Sequence, residues 1–393
     1  MLLYWIWFSE LNLNITQKHR LLSQFGDPET LYHSEDIQKE DKDLAAAEEI
    51  LRKCNRKNIR LLPVDDAAYP ARLRNTPDAP VLLYYKGILP DWDSVPFIGV
   101  VGTRKASAYG LQVAHQMGAQ IAQSGGFVVS GGASGIDTAA MQGALDAGCP
   151  VIGVLGCGVD VVYPRHNRRL FETVAQNGCL ISEYPPEAEG LPWHFPARNR
   201  IISGMSNGTL IVEAPQKSGA LITARWALEQ GRDVFVVPGN INTITCEGSN
   251  ALLQEGATPV FCGWDVVSNY EILYPGKLQK HRKTPLYTGE ETTAKVAQTA
   301  QMPTEKPIGE EIRRKKFIDN EENSTYSVVL ENKKPALGNE EQAVLAQLTR
   351  EPKETAELIA KLNMPSGKVL SLLTMLTVKG LAVKHPGGRF SLK

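Results

Sequence analysis

The sequence predicts an α/β protein with an extended Rossmann-like, doubly wound parallel sheet, a small helical domain before it and a winged helix after it. Between residues 89 and 274, short apolar strands alternate with helical segments, which is the pattern of a parallel sheet covered on both faces. The residues before this region show helical apolar spacing. The chain ends with three short helical patterns and an apparent β-hairpin, as winged helices do.

Six apolar runs are predicted to form the strands of the central sheet. They begin at Phe97, Phe127, Val151, Cys179, Thr209 and Val234. The first run leads into Gly102-Thr103-Arg104-Lys105 and a helix near Tyr109, and the second into Ser130–Gly135 and a helix over Ile136–Ala147. Glycine lets the backbone approach an oxygen closely, and helix N-termini favour negative charge. We therefore expect the two turns to form an anion site at one edge of the sheet.

Motifs of several nucleotide-binding proteins are missing. No G-x-x-x-x-G-K-[ST] sequence occurs, so ATP hydrolysis is not expected. Gly156-Cys157-Gly158 is followed by Val161 where the dinucleotide fingerprint needs its third glycine, which argues against NAD and FAD. The six cysteines have no C-x-x-C pairing, and we predict neither a metal, nor a disulfide, nor any cofactor.

Composition and charge predict a cytoplasmic globular protein. The chain has 42 Lys and Arg against 43 Asp and Glu, so any contact with nucleic acid must depend on a local basic patch. The apolar run Leu2–Phe8 lacks a basic flank and soon meets Glu10. It is predicted to be a packed helix, and neither a signal peptide nor a membrane span.

Four regions follow from these patterns. Residues 1–88 are expected to form a domain of the sterile-alpha-motif or helix-hairpin-helix type, and a plain helical bracket fits the pattern equally well. Residues 89–274 hold the core, residues 275–337 lose apolar periodicity and are predicted to be a flexible linker, and residues 338–393 are the winged helix. In the linker, Arg313–Lys316 is interpreted as a solvated charge run, with DNA contact as the alternative. Acidic residues around the last helices of the winged helix favour contact with protein over duplex DNA.

Six motifs follow one another across the core. They are Val101–Arg104, Ser130–Asp137, Gly156–Asp160 with Tyr163-Pro164, His194–Gly204, Ser218–Ala224 and Val237–Gly239. Their order resembles the DNA-processing protein A family (DprA, also called Smf). The resemblance implies a protein without catalytic activity that binds single-stranded DNA, protects incoming DNA during natural transformation and helps load the RecA recombinase. It also implies a homodimer formed through the Rossmann core.

The resemblance further implies which residues hold the DNA. Arg104 corresponds to the family's phosphate-contacting arginine, with a surface ion pair as the alternative. The expected set is Gly102, Thr103, Arg104, Lys105, Ser130, Gly131, Gly132, Ser134, Gly135, Phe195, Arg198, Asn199 and Arg200. Several of these residues have a purely structural role as the alternative: turn geometry for the glycines, core burial for Phe195, and contacts with Glu183 or Glu213 for Arg198 and Asn199. Pro192 stands where the family often has a lysine, so Arg165, His166, Arg168 or Arg169 could supply that contact.

An enzyme is the main rival hypothesis. Four carboxylates follow strands and could act in pairs as acid and base: Asp137, Asp160, Glu183 and Glu213. Their positions suit helix capping and buried hydrogen bonds better. Lysine-decarboxylase-like phosphoribohydrolases of nucleoside monophosphates share a glycine turn and a strand-end glutamate. They usually carry P-G-G-x-G-T, which Ser130–Gly135 only approximates.

Overall fold

The structure is a computed structural model that describes most of the 393 residues. The described positions are 1–37, 42–280, 339–349, 351–362, 364, 369, 372–373, 376–377, 381–385 and 389–392. Most of the predicted linker, including Arg313–Lys316, lies outside them. The chain divides into two compact units, residues 1–302 and 303–393, which we describe separately. Along the described residues, no helix has the length and apolarity that a membrane crossing requires.

A nine-stranded sheet forms the centre of the first unit. Its strands are β1 (Arg60–Pro63), β2 (Leu82–Gly87), β3 (Phe97–Val101), β4 (Phe127–Ser130), β5 (Val151–Leu155), β6 (Cys179–Ser182), β7 (Gly208–Ile211), β8 (Asp233–Val236) and β9 (Thr258–Pro259). They lie in the order β1-β2-β6-β5-β4-β3-β7-β8-β9. The pairs from β6 to β9 are parallel, whereas β1 and β2 are antiparallel additions at one edge. The predicted doubly wound parallel sheet is confirmed, and all six predicted strands are present.

Twelve α-helices accompany this sheet in the described part of the first unit. They are α1 (Leu2–Glu10), α2 (Ile15–Phe25), α3 (Pro28–His33), α4 (Ala45–Lys57), α5 (Ala71–Arg74), α6 (Ala108–Gln123), α7 (Ile136–Asp146), α8 (Arg168–Asn177), α9 (His194–Met205), α10 (Gly219–Glu229), α11 (Glu247–Gln254) and α12 (Gly263–Val267). Helices α6, α7 and α8 contact one another in turn, and α9 contacts α10. Since parallel crossovers are right-handed and the strand order reverses between β3 and β7, these two groups cover opposite faces of the sheet. Strands β3 and β5 are consequently buried along their whole length.

The first 88 residues differ from the prediction of a mainly helical region. Five helices, α1 to α5, are present, but residues 60–87 also contribute β1 and β2 to the central sheet. Trp5, Ile6 and Phe8 of α1 are buried in the same hydrophobic core as the sheet strands. Strand β2 pairs with β6, which lies about a hundred positions further along the chain, and β1 pairs with β2. Such long-range pairing leaves little trace in local spacing.

The start of the predicted linker also needs correction. Leu278 is only 9 % exposed and belongs to the main hydrophobic core. The backbone N–H of Gln279 donates to the Ser124 carbonyl at 3.2 Å. Residues 275–280 therefore belong to the folded core, because one leucine in a polar segment suffices to anchor it.

The second unit has the predicted winged-helix elements. Its described residues form α13 (Asn339–Gln347), β10 (Lys353–Glu354), α14 (Thr355–Leu362), β11 (Ala382–His385) and β12 (Arg389–Leu392). The strands form a small sheet in the order β10-β12-β11, in which β11 and β12 are the antiparallel hairpin of the wing. The residues of all three predicted helical patterns share one core: Val344, Leu348, Leu358, Val369, Leu373 and Leu376, with Ala382 and Phe390 of the wing.

Candidate nucleic-acid interface

A pocket opens where β3, β4 and β5 end. It is lined by Arg104, Gly131, Ala133, Ser134, Leu155, Gly156, Tyr163, Pro164, Phe195 and Arg198, and its open space is about 360 Å³. Five predicted site residues meet here, because carboxyl ends of neighbouring parallel strands lie along one sheet edge. Two arginines line the pocket and no carboxylate does.

The loop after β4 has unpaired backbone donors next to this pocket. The buried Asp137 carboxylate accepts hydrogen bonds from the N–H groups of Gly131 at 3.1 Å and Ala133 at 3.4 Å, which curls the loop. The N–H groups of Ser134 and Gly135 have no acceptor among the described residues. Helix α7 begins at the next residue, so its positive dipole end adds to these free donors.

Two glycines of this loop are required by close contacts. A Cβ on Gly131 would lie 2.5 Å from Nη2 of Arg198. Gly132 has a φ of +62°, and a Cβ there would lie 2.6 Å from the ring of Phe171. Gly131 therefore keeps the pocket open, whereas Gly132 is required by the turn and by packing beneath it.

Arg198 lies at the base of the pocket and is 3 % exposed. Its Nη1 donates to the carbonyls of Gly131, at 2.8 Å, and of Val154, and its Nε lies 3.3 Å from Oδ1 of Asn199. Its Nη2 has no hydrogen-bond acceptor in the described part of the chain. Burial lowers the pKa of Arg198 to about 10, with Asp137 opposing the shift. The guanidinium thus stays charged at neutral pH and keeps unused donors.

Asp137 and Arg198 are both buried, and each affects the pKa of the other. Burial raises the pKa of the Asp137 carboxyl, while the charge of Arg198 and the backbone N–H groups of Ala133 and Gly102 lower it in part. The carboxylate takes up donors on the protein side of the loop and does not line the pocket.

Arg104 and two aromatic rings form the rim. Arg104 is exposed, and its guanidinium carbon lies 5.2 Å from the centre of the Phe195 ring. No described carboxylate lies within ion-pair distance of Arg104, so the surface ion pair considered from sequence is not formed there. The Phe195 ring lies 5.1 Å from that of Tyr163, which is 45 % exposed. Phe195 is half-buried and faces this rim.

A basic segment adjoins the pocket. It begins with the short 3-10 helix Arg165–Asn167, which follows Pro164 of the pocket lining. The side-chain amide of Asn167 donates to the carbonyl of Gly132 at 2.9 Å, which fixes the segment to the loop after β4. Nε2 of His166 lies 3.3 Å from Oγ of Ser134. Three exposed arginines with no ion pair among the described residues therefore stand beside the pocket: Arg165, Arg168 and Arg169.

The structure directs three other predicted residues to internal contacts. Oγ of the fully buried Ser130 donates to the Val100 carbonyl at 2.7 Å. Oγ1 of Thr103 accepts the N–H of Lys105 at 3.2 Å. A Cβ on Gly102 would lie 2.5 Å from the Ile136 side chain. Lys105 itself is exposed beside Arg104.

Arg200 is engaged elsewhere. It is 8 % exposed and donates to both oxygens of Glu183, at 2.9 and 2.7 Å, while its Nε lies 3.2 Å from Asp78. The carboxylate of Glu183 dominates the charges that raise the pKa of Arg200 against the effect of burial. Asn199 donates to the Gly219 carbonyl at 3.2 Å and so links α9 to the start of α10. These contacts make both residues scaffold elements of α9.

The four carboxylates of the enzyme hypothesis are likewise engaged in structural contacts. Glu213 is 2 % exposed and accepts from the N–H and Oγ of Ser107, at 2.9 and 2.5 Å, at the start of α6. Asp160 binds Lys57 at 2.5 Å, Glu183 binds Arg200, and Asp137 holds the loop after β4. The prediction that these groups serve capping and buried hydrogen bonds is confirmed for Glu213 and Asp137, whereas Asp160 and Glu183 are engaged in ion pairs. The phosphoribohydrolase hypothesis is not favoured.

Five pocket residues were absent from the predicted set: Ala133, Leu155, Gly156, Tyr163 and Pro164. Leu155 and Gly156 end β5, whose carboxyl end lies beside that of β4. The carboxyl ends of neighbouring parallel strands lie along one edge of the sheet, and this rule had placed the first two turns together. It applies equally to the turn after β5, so the sequence alone could have added that turn to the site.

Comparisons with known proteins agree with this architecture. The family described as DNA recombination-mediator protein A matches residues 60–271, and the DprA winged helix domain matches residues 330–388. The protein Smf of Synechocystis is 32% identical over 354 residues, covering 87% of this chain and 82% of its own. The DNA processing protein DprA of Streptococcus pneumoniae is 44% identical over 206 residues, or 52% of this chain and 72% of its own.

A solved structure extends the likeness to three dimensions. The X-ray structure of DprA from Streptococcus pneumoniae superposes with a TM-score of 0.56 at 36% identity, covering 69% of this chain and 88% of that one. Matching domains, curated relatives and fold support a role in DNA processing as a recombination mediator. The chain belongs to the DNA recombination-mediator protein A family, known as DprA or Smf.

Proposed function

We propose that the protein binds single-stranded DNA by holding a backbone phosphate in the pocket at the ends of β3, β4 and β5. The observation that carries this proposal is a set of unused donors in or next to one pocket: Nη2 of Arg198, the N–H groups of Ser134 and its neighbour Gly135, and the free guanidinium of Arg104. All are donors, and the pocket lining contains no acidic side chain. A phosphate diester offers the negative charge and acceptor oxygens that such a set lacks.

The surroundings of the pocket favour an unpaired strand over a duplex. The rings of Tyr163 and Phe195 lie at its rim and offer faces on which a base can stack. In a duplex the bases are already stacked on one another and face inward. The basic segment Arg165–Arg169 extends the positive surface along which the backbone can continue.

Competition between strand types tests this proposal. A labelled dT oligonucleotide of about 16 nucleotides, near the upper end of usual site sizes, is titrated with protein at several salt concentrations. Unlabelled single strands should displace it well below the concentration at which duplex of equal length does so. Affinity should fall steeply with salt, because phosphate contacts release counterions. Equal competition by duplex, or salt-independent binding, would contradict the proposal.

An activity assay tests the enzyme alternative on the same preparation. Nucleoside monophosphates are incubated with wild type and with Glu213→Gln, and free base is measured. No release is expected from either protein, since Glu213 is closed off by Ser107. Release by the wild type that Glu213→Gln abolishes would replace DNA binding with phosphoribohydrolysis as the function.

We further propose that the protein acts in the cytoplasm as a homodimer through its Rossmann core, protects incoming DNA in natural transformation and helps load RecA on it. The family description supports the recombination role. Exposed apolar side chains follow two neighbouring strands and support the dimer: Ile241 and Ile244 after β8, and Phe261 after β9. Sedimentation of wild type and Ile241→Asp checks the dimer. The rate of RecA filament growth on single strands, with and without the protein, checks the loading.

A further inference from the structure

Trp193 stands out among the tryptophans of the chain. It is 66% exposed, whereas Trp5, Trp7 and Trp92 are buried. The remaining two, at positions 226 and 264, are half-buried. A tryptophan held in solvent exposes a large apolar ring, and such exposure on a globular protein often marks a contact surface.

The backbone and neighbours hold Trp193 in place. It precedes α9, and its carbonyl accepts the N–H of Ala197 at 3.4 Å. The adjacent His194 ring is stacked on Tyr184 with centroids 3.8 Å apart and planes at 17°. The indole of Trp193 meets the edge of the His194 ring at 6.0 Å. The exposed indole therefore stands on a fixed support, so less freedom is lost when a ligand stacks on it.

That support also touches the phosphate pocket. Nδ1 of His194 lies 3.2 Å from the carbonyl oxygen of Gly156, which lines the pocket. Phe195, the next residue, forms part of the rim beneath Arg104. Trp193 therefore contacts the His194 ring, which in turn contacts the pocket lining, and it directly precedes these two residues in the chain.

We propose that Trp193 is a second stacking platform that takes an unpaired nucleobase next to the nucleotide whose phosphate occupies the pocket. The proposal rests on the phosphate-binding function put forward above. A nucleobase is the matching occupant because the neighbouring cations attract a polyanion, and every base offers a flat π-face without regard to sequence. The platform would lengthen the site without adding sequence preference.

Binding to two strands of different chemistry tests the platform. One probe is a dT oligonucleotide of about 16 nucleotides, and the other is an abasic-analogue strand of equal length that keeps only the sugar-phosphate backbone. Trp193→Ala should weaken binding to the dT strand roughly fivefold to a hundredfold, the range of one base–aromatic stack. It should leave the abasic strand within about twofold, as for a lost contact that involves only the base. The matched control is Leu228→Ala, which also removes an exposed apolar side chain, 58% exposed, and should change neither affinity.

The outcomes separate this inference from the function on which it rests. If wild type binds both strands equally and with strong salt dependence, phosphate binding stands and the platform is refuted. An equal loss on both strands in Trp193→Ala also refutes it, since the residue would then shape the backbone site. If wild type binds neither strand, the phosphate proposal itself fails and the platform fails with it.

Fluorescence gives an independent readout. Saturation with dT should quench the intrinsic emission of wild type and of Trp226→Phe to a similar extent. The quench should largely disappear in Trp193→Phe, because the exposed indole is the one that contacts the base. A quench that persists unchanged in Trp193→Phe would overturn the proposal.

Discussion

Removal of Arg104 is the most direct perturbation of the proposed phosphate site. Arg104 is exposed, lies over Phe195 and has no ion pair among the described residues. Its replacement by alanine therefore leaves no buried carboxylate without a partner. We expect the free energy of unfolding to change by less than about 0.5 kcal/mol, as for other surface substitutions.

Binding should change much more. A hydrogen bond to a charged group contributes about 1.5–3 kcal/mol, and the exposure of Arg104 argues for the lower end. The expected loss is therefore about tenfold in affinity for a dT strand. If one phosphate contact disappears, the slope of log affinity against log salt should also become shallower by about 0.7. Arg104→Lys should keep most of the slope, since the charge remains, but lose part of the affinity with the guanidinium fork.

The assay is fluorescence anisotropy with labelled dT at four or more salt concentrations, with thermal unfolding as a check on folding. Arg225→Ala is the matched control, because Arg225 is exposed on α10 and has no ion pair in the described part of the chain. Both variants lower the net charge equally. If Arg104→Ala binds DNA with the same affinity and salt slope as Arg225→Ala, Arg104 does not contact phosphate. The proposed position of the DNA strand is then wrong.

Three further predictions concern the fold around the site. Gly132→Val should lower the free energy of unfolding in urea by at least about 2 kcal/mol, because Gly132 has a positive φ and the Phe171 ring lies beneath it. This variant therefore tests the packing of the loop and not a DNA contact. The Glu187 carboxylate is exposed, and hydrogen bonds from Lys53 and Lys57 lower its pKa to about 2. The stability from this contact should be present above the ordinary carboxyl pKa of 4.5 and be lost as pH falls towards 2, and Lys57→Met should flatten that part of the profile of melting temperature against pH. Deletion of residues 281–337 should preserve the cooperative melting of the core, whereas deletion of 275–337 should lower its melting temperature by removing Leu278.

Local sequence signals were sufficient for the parallel core. Most of its strands combine an apolar run with a glycine or serine at or soon after the carboxyl end, and each run is followed by a helix, so the apolar spacing and the turn residues agree. The edge strands β1 and β2 lacked this agreement. Their runs, Leu61–Val64 and Val81–Tyr85, are short and lie among helical patterns. What makes them strands is the pairing of β2 with β6 and of β1 with β2. Contacts made across long sequence separations decide such elements.

The site was predictable to the extent that strand ends and helix phase determine it. Phe195 and Arg198 are three positions apart on α9 and therefore share one face, and the structure places both at the pocket. Arg200 lies two positions beyond Arg198, about 200° around the helix, and so points away. The two arginines therefore cannot face the same phosphate, and the periodicity of the helix alone allows this deduction. Only the structure could show that Glu183 and Asp78 pair with Arg200 on the other side of the helix.

The two glycine turns differ in how their helix N-termini are used. At the first turn, Glu213 reaches across from the end of β7 and takes the N–H and Oγ of Ser107, so the positive end of α6 is already neutralised. This contact fills the crevice between β3 and β7, where the strand order reverses and doubly wound sheets usually bind ligands. At the second turn, Asp137 accepts the N–H groups of Gly131 and Ala133, and the last two N–H groups before α7 stay free. An anion is therefore expected one strand away from the usual crevice, at α7, with the first turn contributing through the side chain of Arg104 alone.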